Sequence, residues 1–412
     1  MTKTNLKLLT LVGMTMLMGC GSSSADETES TSAIDSSETV ILESEYTANW
    51  MAGSWGITQR VDGGKKLDAS IETGKYDWVA GAEEIVANIP AADYVITSFT
   101  HPAHAYLFTL RTNNNVDVST IHPDMVPTLE NEQIILDVIN IYRAAGKKVI
   151  LYLNAAGPSM AEERGDPEIQ EAWETYYNDQ WDGDEAAAWR NLVLGYAERF
   201  DGLVDGYWLD NVSNLPGQVS DFVAMLRSVD PTLVIGVNKS KAYFTDDDGN
   251  YLYVDSDGLD DEDETDYKII KHVPVNEYGD FTAGHVTPLG QGAPPNSWGY
   301  DEYTLPNMAE TPWESYDGSN YTLKHGWFPI RDSWSGSGAE LMFEVEQAYR
   351  FVRTITDGGA AMTWSTTQKK GYMTADEMDI MVEINNRMTQ DPKPDYEAYE
   401  RPEGTYLVGE IE

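Results

Sequence analysis

The run Leu203-Val204-Asp205-Gly206-Tyr207-Trp208-Leu209-Asp210-Asn211 closes an apolar, aromatic stretch on a carboxylate. That order places Asp210 at the C-terminal end of a strand, which in sheets of alternating strands and helices is the end open to ligands. Other strand-like runs end on polar groups too. Tyr94 to Thr100 leads to His101 and His104, Lys148 to Leu153 leads to Asn154, Thr232 to Val237 leads to Asn238 and Lys239, and Asp280 to Gly284 leads to His285. The sequence contains no Gly-x-Ser-x-Gly and no His-Glu-x-x-His, and its single cysteine is Cys20 near the N-terminus. What remains is carboxylate, imidazole and indole, the set that glycoside hydrolysis uses. Carboxylates attack or stabilise an oxocarbenium-like centre, and aromatic faces stack on the C–H faces of sugar rings. Asp210 suits the nucleophile. For the proton donor the sequence offers His285, Glu310 and Glu314, and a histidine ordinarily titrates near neutrality, so it serves as acid and then as base. The competing readings are that Asp210 caps the next helix or pairs with Lys239, and that any one of these histidines is structural.

The elements that must carry these residues alternate along the chain. Strands are expected at 50–58, 94–101, 148–154, 203–209, 232–239, 280–285, 324–331 and 360–364. Helices are expected at 130–145, 169–200, 217–228, 338–356 and 374–388, with another ending at Pro90. Ile134, Ile135, Val138, Ile139 and Tyr142 keep the i, i+3, i+4 spacing of one buried helix face. The repeat predicts an α/β fold, a (β/α)8 TIM-type barrel forming a single catalytic domain over residues 46–390. No Gly-rich dinucleotide fingerprint follows any strand.

The chain ends read differently. Lys3 and Lys7 precede an apolar run too short to span a bilayer, and Leu17-Met18-Gly19-Cys20 fits a lipobox, so residues 1–20 read as a lipoprotein signal peptide with lipidation at Cys20. The expectation is a bacterial outer-membrane lipoprotein, facing the periplasm or the cell surface, with its membrane contact through that lipid. A plain signal peptide is the alternative. Residues 21–45 are a Ser- and Glu-rich tether, and 391–412 an acidic tail. A formal net charge of −42 argues against a nucleic-acid partner, because phosphate binding needs clustered cations. Between 246 and 266 carboxylates crowd together; the register of an EF-hand fails because Tyr253 stands at the first ligand position. Asp255, Asp257, Asp261 and Glu264 remain candidates for an irregular structural Ca²⁺ site, against the reading of a solvated acidic loop. No cofactor is required for the chemistry, and a monomer is expected.

With these residues in place, the chain resembles the clan of family-29 α-L-fucosidases and family-107 endo-fucoidanases over roughly residues 50 to 365. Tyr207-Trp208-Leu209-Asp210-Asn211 resembles their nucleophile segment and Thr97 to His101 their histidine-bearing strand. Ala145 to Leu153 resembles the helix-to-strand step that follows, Pro312-Trp313-Glu314 a fucosidase segment, and Val352 to Trp364 the closing helix and Gly-Gly strand. His285 stands in Ala283-Gly284-His285-Val286-Thr287-Pro288 where the fucosidases carry glutamate, which moves the resemblance toward the endo-fucoidanases. The resemblance implies Asp210 as nucleophile, His285 as acid/base, retention of configuration and internal cleavage of a sulfated α-L-fucan, an anionic polysaccharide. Calcium often assists such enzymes. Substrate contacts are then expected from His101, His104, Asn154, Trp55, Asn238, Lys239, Trp298, Trp313, Glu314, Lys324, His325 and Arg331, the cations meeting sulfate groups. The alternatives are an exo-α-L-fucosidase with Glu310 or Glu314 as acid, a hydrolase of another sulfated algal polysaccharide, and a glycan-binding surface lipoprotein without catalysis.

Overall fold

The computed structural model describes residues 47–396 except 75, 101–106, 239–241, 246–250, 255–271, 275, 285–304, 319 and 332–339. A 3-10 turn at Thr47–Met51 precedes β1 (Trp55–Gln59), α1 (Gly64–Glu72) and α2 (Trp78–Asn88). The chain continues through β2 (Tyr94–Ser98), α3 (Val118–Ile121), α4 (Gln133–Ala144), β3 (Lys148–Asn154), α5 (Pro167–Gln180), α6 (Glu185–Phe200), β4 (Gly206–Asp210), α7 (Val219–Val229) and β5 (Val234–Val237). Two strands, β6 (Ala242–Thr245) and β7 (Tyr251–Val254), form a separate hairpin. Then come β8 (Phe281–Thr282), α8 (Leu305–Glu310), β9 (Trp313–Ser315), β10 (Tyr321–Leu323), β11 (His325–Pro329), α9 (Val345–Asp357), β12 (Ala361–Ser365), the short hairpin of β13 (Gln368–Lys369) and β14 (Tyr372–Met373), and α10 (Ala375–Met388).

Ten strands form one curled sheet in the order β11-β12-β1-β2-β3-β4-β5-β8-β10-β9. Every neighbouring pair in it is parallel except β9 with β10. Alternation along each strand separates two cores. Val95, Val149, Leu151, Tyr207, Leu209 and Ile235 face the helices. Tyr94, Ile96, Ile150, Tyr152, Trp208, Val234, Phe281, Leu323 and Trp327 fill the inside of the curl. The curl brings the edge strand β11 back against β8. Trp327 N donates to Gly284 O at 2.6 Å, and His325 N donates to Thr282 Oγ1 at 2.8 Å. Gly284, at φ +65, is needed there, since a β-carbon would lie 2.1 Å from His325 O.

Two elements differ from the expectation for reasons of packing and turn chemistry. The first strand begins at Trp55 rather than residue 50, because Ala48 and Met51 belong to the 3-10 turn and join the inner core beside Tyr94 and Phe281. The helical stretch 169–200 is two helices. Asp182 and Gly183 adopt φ 51 and φ 82, and Asp184 caps α6 by accepting from Ala187 N at 2.9 Å. Lys147 is buried, and its ammonium donates to Ile89 O at 2.9 Å and to Ala92 O, capping the end of α2. Burial holds it down at about 8 against a lesser opposing pull from Asp93.

Candidate active site

Asp210 is the last residue of β4 and pairs in register with Asn154, the last residue of β3. Its carboxylate collects donors from three neighbours. The Tyr152 hydroxyl donates to Oδ2, Asn238 Nδ2 donates to Oδ1 at 2.8 Å, and Asn211 Nδ2 reaches Oδ2 at 3.3 Å. Asn211 does so from a left-handed backbone, φ 52 and ψ 36, a conformation that asparagine tolerates better than most residues. Asn154 Oδ1 accepts from Asn211 Nδ2 at 3.3 Å and from Ala156 N at 3.2 Å. The Asn154 Nδ2 is buried without an acceptor among the described residues.

Below the carboxylate lies an aromatic floor. Tyr152 and Trp208 each precede a mouth residue by two positions, so they share its face of the sheet. They stack with ring centroids 5.1 Å apart and planes 25° apart. Trp327 meets Trp208 edge-on at 4.5 Å and 77°. The indole N–H of Trp208 donates to Ala283 O at 2.9 Å, which ties the segment just before His285 to this floor.

Asp210, Asn154 and Asn238 are therefore brought together as expected. His285, His101, His104, Lys239 and Trp298, the calcium candidates Asp255, Asp257, Asp261 and Glu264, and Cys20 lie outside the described residues. Five expected contacts are corrected. Trp55 starts β1 at the closed end of the sheet and is 1% exposed among the helix-facing residues. His325 starts β11, also at the closed end, and is fully buried; its Nδ1 lies 3.0 Å from Thr282 O and its Nε2 2.8 Å from Thr363 Oγ1. Lys324 is 1% exposed and donates to Thr311 Oγ1 at 2.7 Å beside the Glu314 carboxylate at 3.0 Å. Glu314 on β9 opposes Thr322 on β10, and Trp313 next to it packs on the inner core, so alternation turns Glu314 to the outer face, away from the side Asp210 occupies. Arg331 does sit at the open end, but its guanidinium is held in a buried ion pair with Glu377 and a half-exposed one with Asp376 at the start of α10.

The two described buried histidines make a pH prediction. Burial first, then the carbonyl hydrogen bonds working against it, leave His325 lowered to about 4; burial, then the nearby His325 and Lys324 charges, leave His272 lowered to about 3. Unfolded, each takes a proton near 6.5, so their stabilisation is complete above that pH and is lost as pH falls through 4 to 3. The unfolding free energy is expected to fall as pH drops from 6.5 towards 3, by an amount on the order of a few kcal/mol from this pair. Urea titrations of His325→Gln and His272→Phe should show a shallower loss of stability with acid than the parent. An unchanged slope in both contradicts the assignment.

A family model described as endo-alpha(1,4)-fucoidanase Mef1 matches residues 45–411. The chain belongs to this family. It is 80% identical to the solved structure of the endo-fucoidan hydrolase P5AFcnA from glycoside hydrolase family 107, covering 89% of this chain and 100% of that one with a TM-score of 0.81. The family-107 endo-fucoidan hydrolases MfFcnA9 and MfFcnA4 are 16% and 15% identical with TM-scores of 0.62 and 0.61, and show the shared fold. Alignment with them spans 82% of this chain but 63% and 53% of theirs. None of the curated proteins matches.

Sequence reasoning passed over Tyr152, Trp208, Asn211 and Trp327 as site residues of this Mef1-family chain. Tyr152 and Trp208 were visible in principle, each two residues before a polar strand end and so on its face. Trp327 depends on the fold bringing β11 back against β4. Tyr152→Phe removes one donor to the Asp210 carboxylate without removing the ring. Its expected effect is a fall in kcat of about tenfold to a hundredfold, with a melting temperature within a few degrees of the parent. Wild-type kcat in that variant removes Tyr152 from the account.

Proposed function

We propose that this chain is an endo-acting hydrolase of sulfated α-L-fucan that works with retention of configuration. The 80% identity to an endo-fucoidan hydrolase over that protein's whole length carries the activity. The placement of Asp210 at the open end of the sheet, held by Tyr152, Asn211 and Asn238 above an aromatic floor, supports the residue roles. Asp210 attacks the anomeric carbon and forms a glycosyl ester while the departing sugar oxygen takes a proton from His285. A water then returns a proton to His285 and opens the ester. The support for His285 is its attachment to Ala283-Gly284, which Trp208 and Trp327 hold beside the floor. Asn154 is fully buried, and its Oδ1, which accepts from Asn211 Nδ2 and Ala156 N, holds Asn211 beside Asp210. Trp208 and Trp327, both buried, set the positions of Tyr152 and Asp210 from beneath.

The finer expectations are proposals of the same kind. Eight-stranded barrel closure is supported by the single residue, Lys324, between β10 and β11, which pair with β8 and β12 respectively. Lipidation at Cys20, with surface or periplasmic display, rests on the lipobox, and among the described residues no helix is long and apolar enough to cross a membrane. Calcium binding rests on the acidic run at 255–264; among the described residues no group of three or more His, Cys, Asp or Glu side chains is placed to hold a metal.

The test is electrophoresis of digests of several fucoidans and carrageenans. A ladder of oligosaccharides from fucoidan and none from carrageenan is expected. Free fucose as the sole product supports the exo-acting alternative, which the outward, Lys324-paired position of Glu314 disfavours as far as that acid is concerned. Binding without any cleavage supports the non-catalytic alternative.

A further inference from the structure

The cations first expected to meet sulfate are buried or paired, as with Lys324, His325 and Arg331, or lie outside the described residues. The surface offers another set. In a chain with 69 acidic and 27 basic side chains, most described cations sit on a carboxylate: Lys65, Arg143, Lys148, Arg227, Arg353, Arg387 and Lys393 are examples. Arg60, Lys369 and Lys370 are exceptions, with no side-chain partner among the described residues, and they come from one corner at the open end of the sheet.

Arg60 follows the last residue of β1, and its N–H donates to Gln368 Oε1 at 2.9 Å. It continues the parity of Gly56, whose face meets the inner-core ring of Tyr94, so alternation directs it to the inner side of the sheet edge. Gln368 Nε2 in turn donates to Thr58 O at 3.1 Å, which locks the end of β1 to β13. Lys369 and Lys370 follow Gln368 directly, a span of roughly 7 Å along the chain, and both are exposed. Lys370 has φ 58 and Gly371 φ 89 at the tip of the β13–β14 hairpin. Asparagine or glycine is the ordinary choice at the first of these positions, yet the chain keeps a lysine. The hairpin is seated firmly. Asp77 N donates to Lys370 O at 2.9 Å, Gln59 Nε2 approaches Gly371 O at 3.4 Å, and the Asp77 carboxylate is turned to Ala80 N at 2.9 Å instead of to the lysines. Tyr372 is 37% exposed beside them.

This corner and Asp210 share the open edge of one sheet but are not adjacent. β1 and β4 are three strand spacings apart, roughly 14 Å along the sheet. A single sugar at Asp210 does not span that distance, whereas an extended chain does. We propose that Arg60, Lys369 and Lys370 form a basic rim for sulfate esters of the polymer, remote from the cleaved bond. The proposal rests on the endo-fucanase reading above and deepens it: a guanidinium or an ammonium suits a sulfate through charge-assisted hydrogen bonds, and their distance from Asp210 selects polymer over monosaccharide.

The test is the triple variant Arg60→Gln, Lys369→Gln, Lys370→Asn, the last chosen because asparagine tolerates the left-handed turn. On sulfated fucan the expected KM rises about tenfold with kcat within twofold, and the dependence of kcat/KM on salt becomes shallower because fewer ionic contacts are screened. In affinity gels, sulfated fucan retards the parent more than the variant, while desulfated fucan and a uronic-acid polymer do not distinguish them. Unchanged KM and salt slope, or loss of retardation equally on the uronic-acid polymer, overturns the sulfate-binding rim. If the parent cleaves no fucan the endo-fucanase reading fails by itself; the gel comparison still decides whether this corner binds sulfate.

Discussion

Asp210→Asn is expected to lower turnover of sulfated fucan about ten-thousandfold or more while leaving the melting temperature within a few degrees of the parent. The chemical part follows from the role: a carboxylamide does not form the glycosyl ester, so neither half of a double displacement proceeds. The structural part follows from the donors. Asn238 Nδ2, 2.8 Å from Asp210 Oδ1, still finds a carbonyl oxygen in the variant. The Tyr152 hydroxyl, which donates to Oδ2, rotates to accept from the new amide, because a hydroxyl does either. Asn211 Nδ2 loses Oδ2 as an acceptor but keeps Asn154 Oδ1 at 3.3 Å, so no donor is left without a partner and stability is retained. Substrate binding should survive as well, since the aromatic floor of Tyr152, Trp208 and Trp327 is untouched. Turnover within tenfold of the parent would remove Asp210 from the chemistry.

His285→Ala is expected to have the second-largest effect, a fall of about a hundredfold to ten-thousandfold on natural polymer. Its signature separates an acid/base from a merely structural histidine. Departure of a sugar alkoxide needs a proton, whereas departure of an activated phenol does not. An oligosaccharide bearing such a phenol should therefore retain its first step and release a burst of phenol, with the slow second step left exposed. The limb of the pH profile that belongs to this group should vanish. Glu314→Ala is the contrasting control: its carboxylate pairs with Lys324 at 3.0 Å on the outer face of the sheet, so near-parental polymer cleavage is expected. A burst in Glu314→Ala and its absence in His285→Ala reverses the assignment.

The parts of this site legible in the sequence are those in which local pattern and tertiary position coincide. Asn154, Asp210 and Asn238 each close a β-branched or aromatic run, and parallel pairing in register then forces Asn154 beside Asp210. The floor was less legible because an inward aromatic such as Tyr152 or Trp208 looks like ordinary core until its two-residue offset from a mouth residue is used. Arg331 was misread for a reason no local pattern reveals. Its partners, Glu377 and Asp376, come 46 and 45 residues later on α10, so a cation at the open end is withdrawn from ligand by a helix that docks from outside. Lys324 and His325 open the β11 region instead of ending it, and in a parallel sheet the first residues of a strand belong to the closed end. Arg60, Lys369 and Lys370 went unnoticed because their lack of partners among the described residues is a property of the folded surface.

The most direct test of the account is peptide mass mapping after rapid quenching of the enzyme with a 2-deoxy-2-fluoro-fucosyl oligosaccharide carrying an activated leaving group, a substrate that slows the second displacement. The expected result is a glycosyl ester on the peptide containing Asp210, with products that keep the α configuration. An ester on another carboxylate, or no ester together with products of inverted configuration, contradicts it.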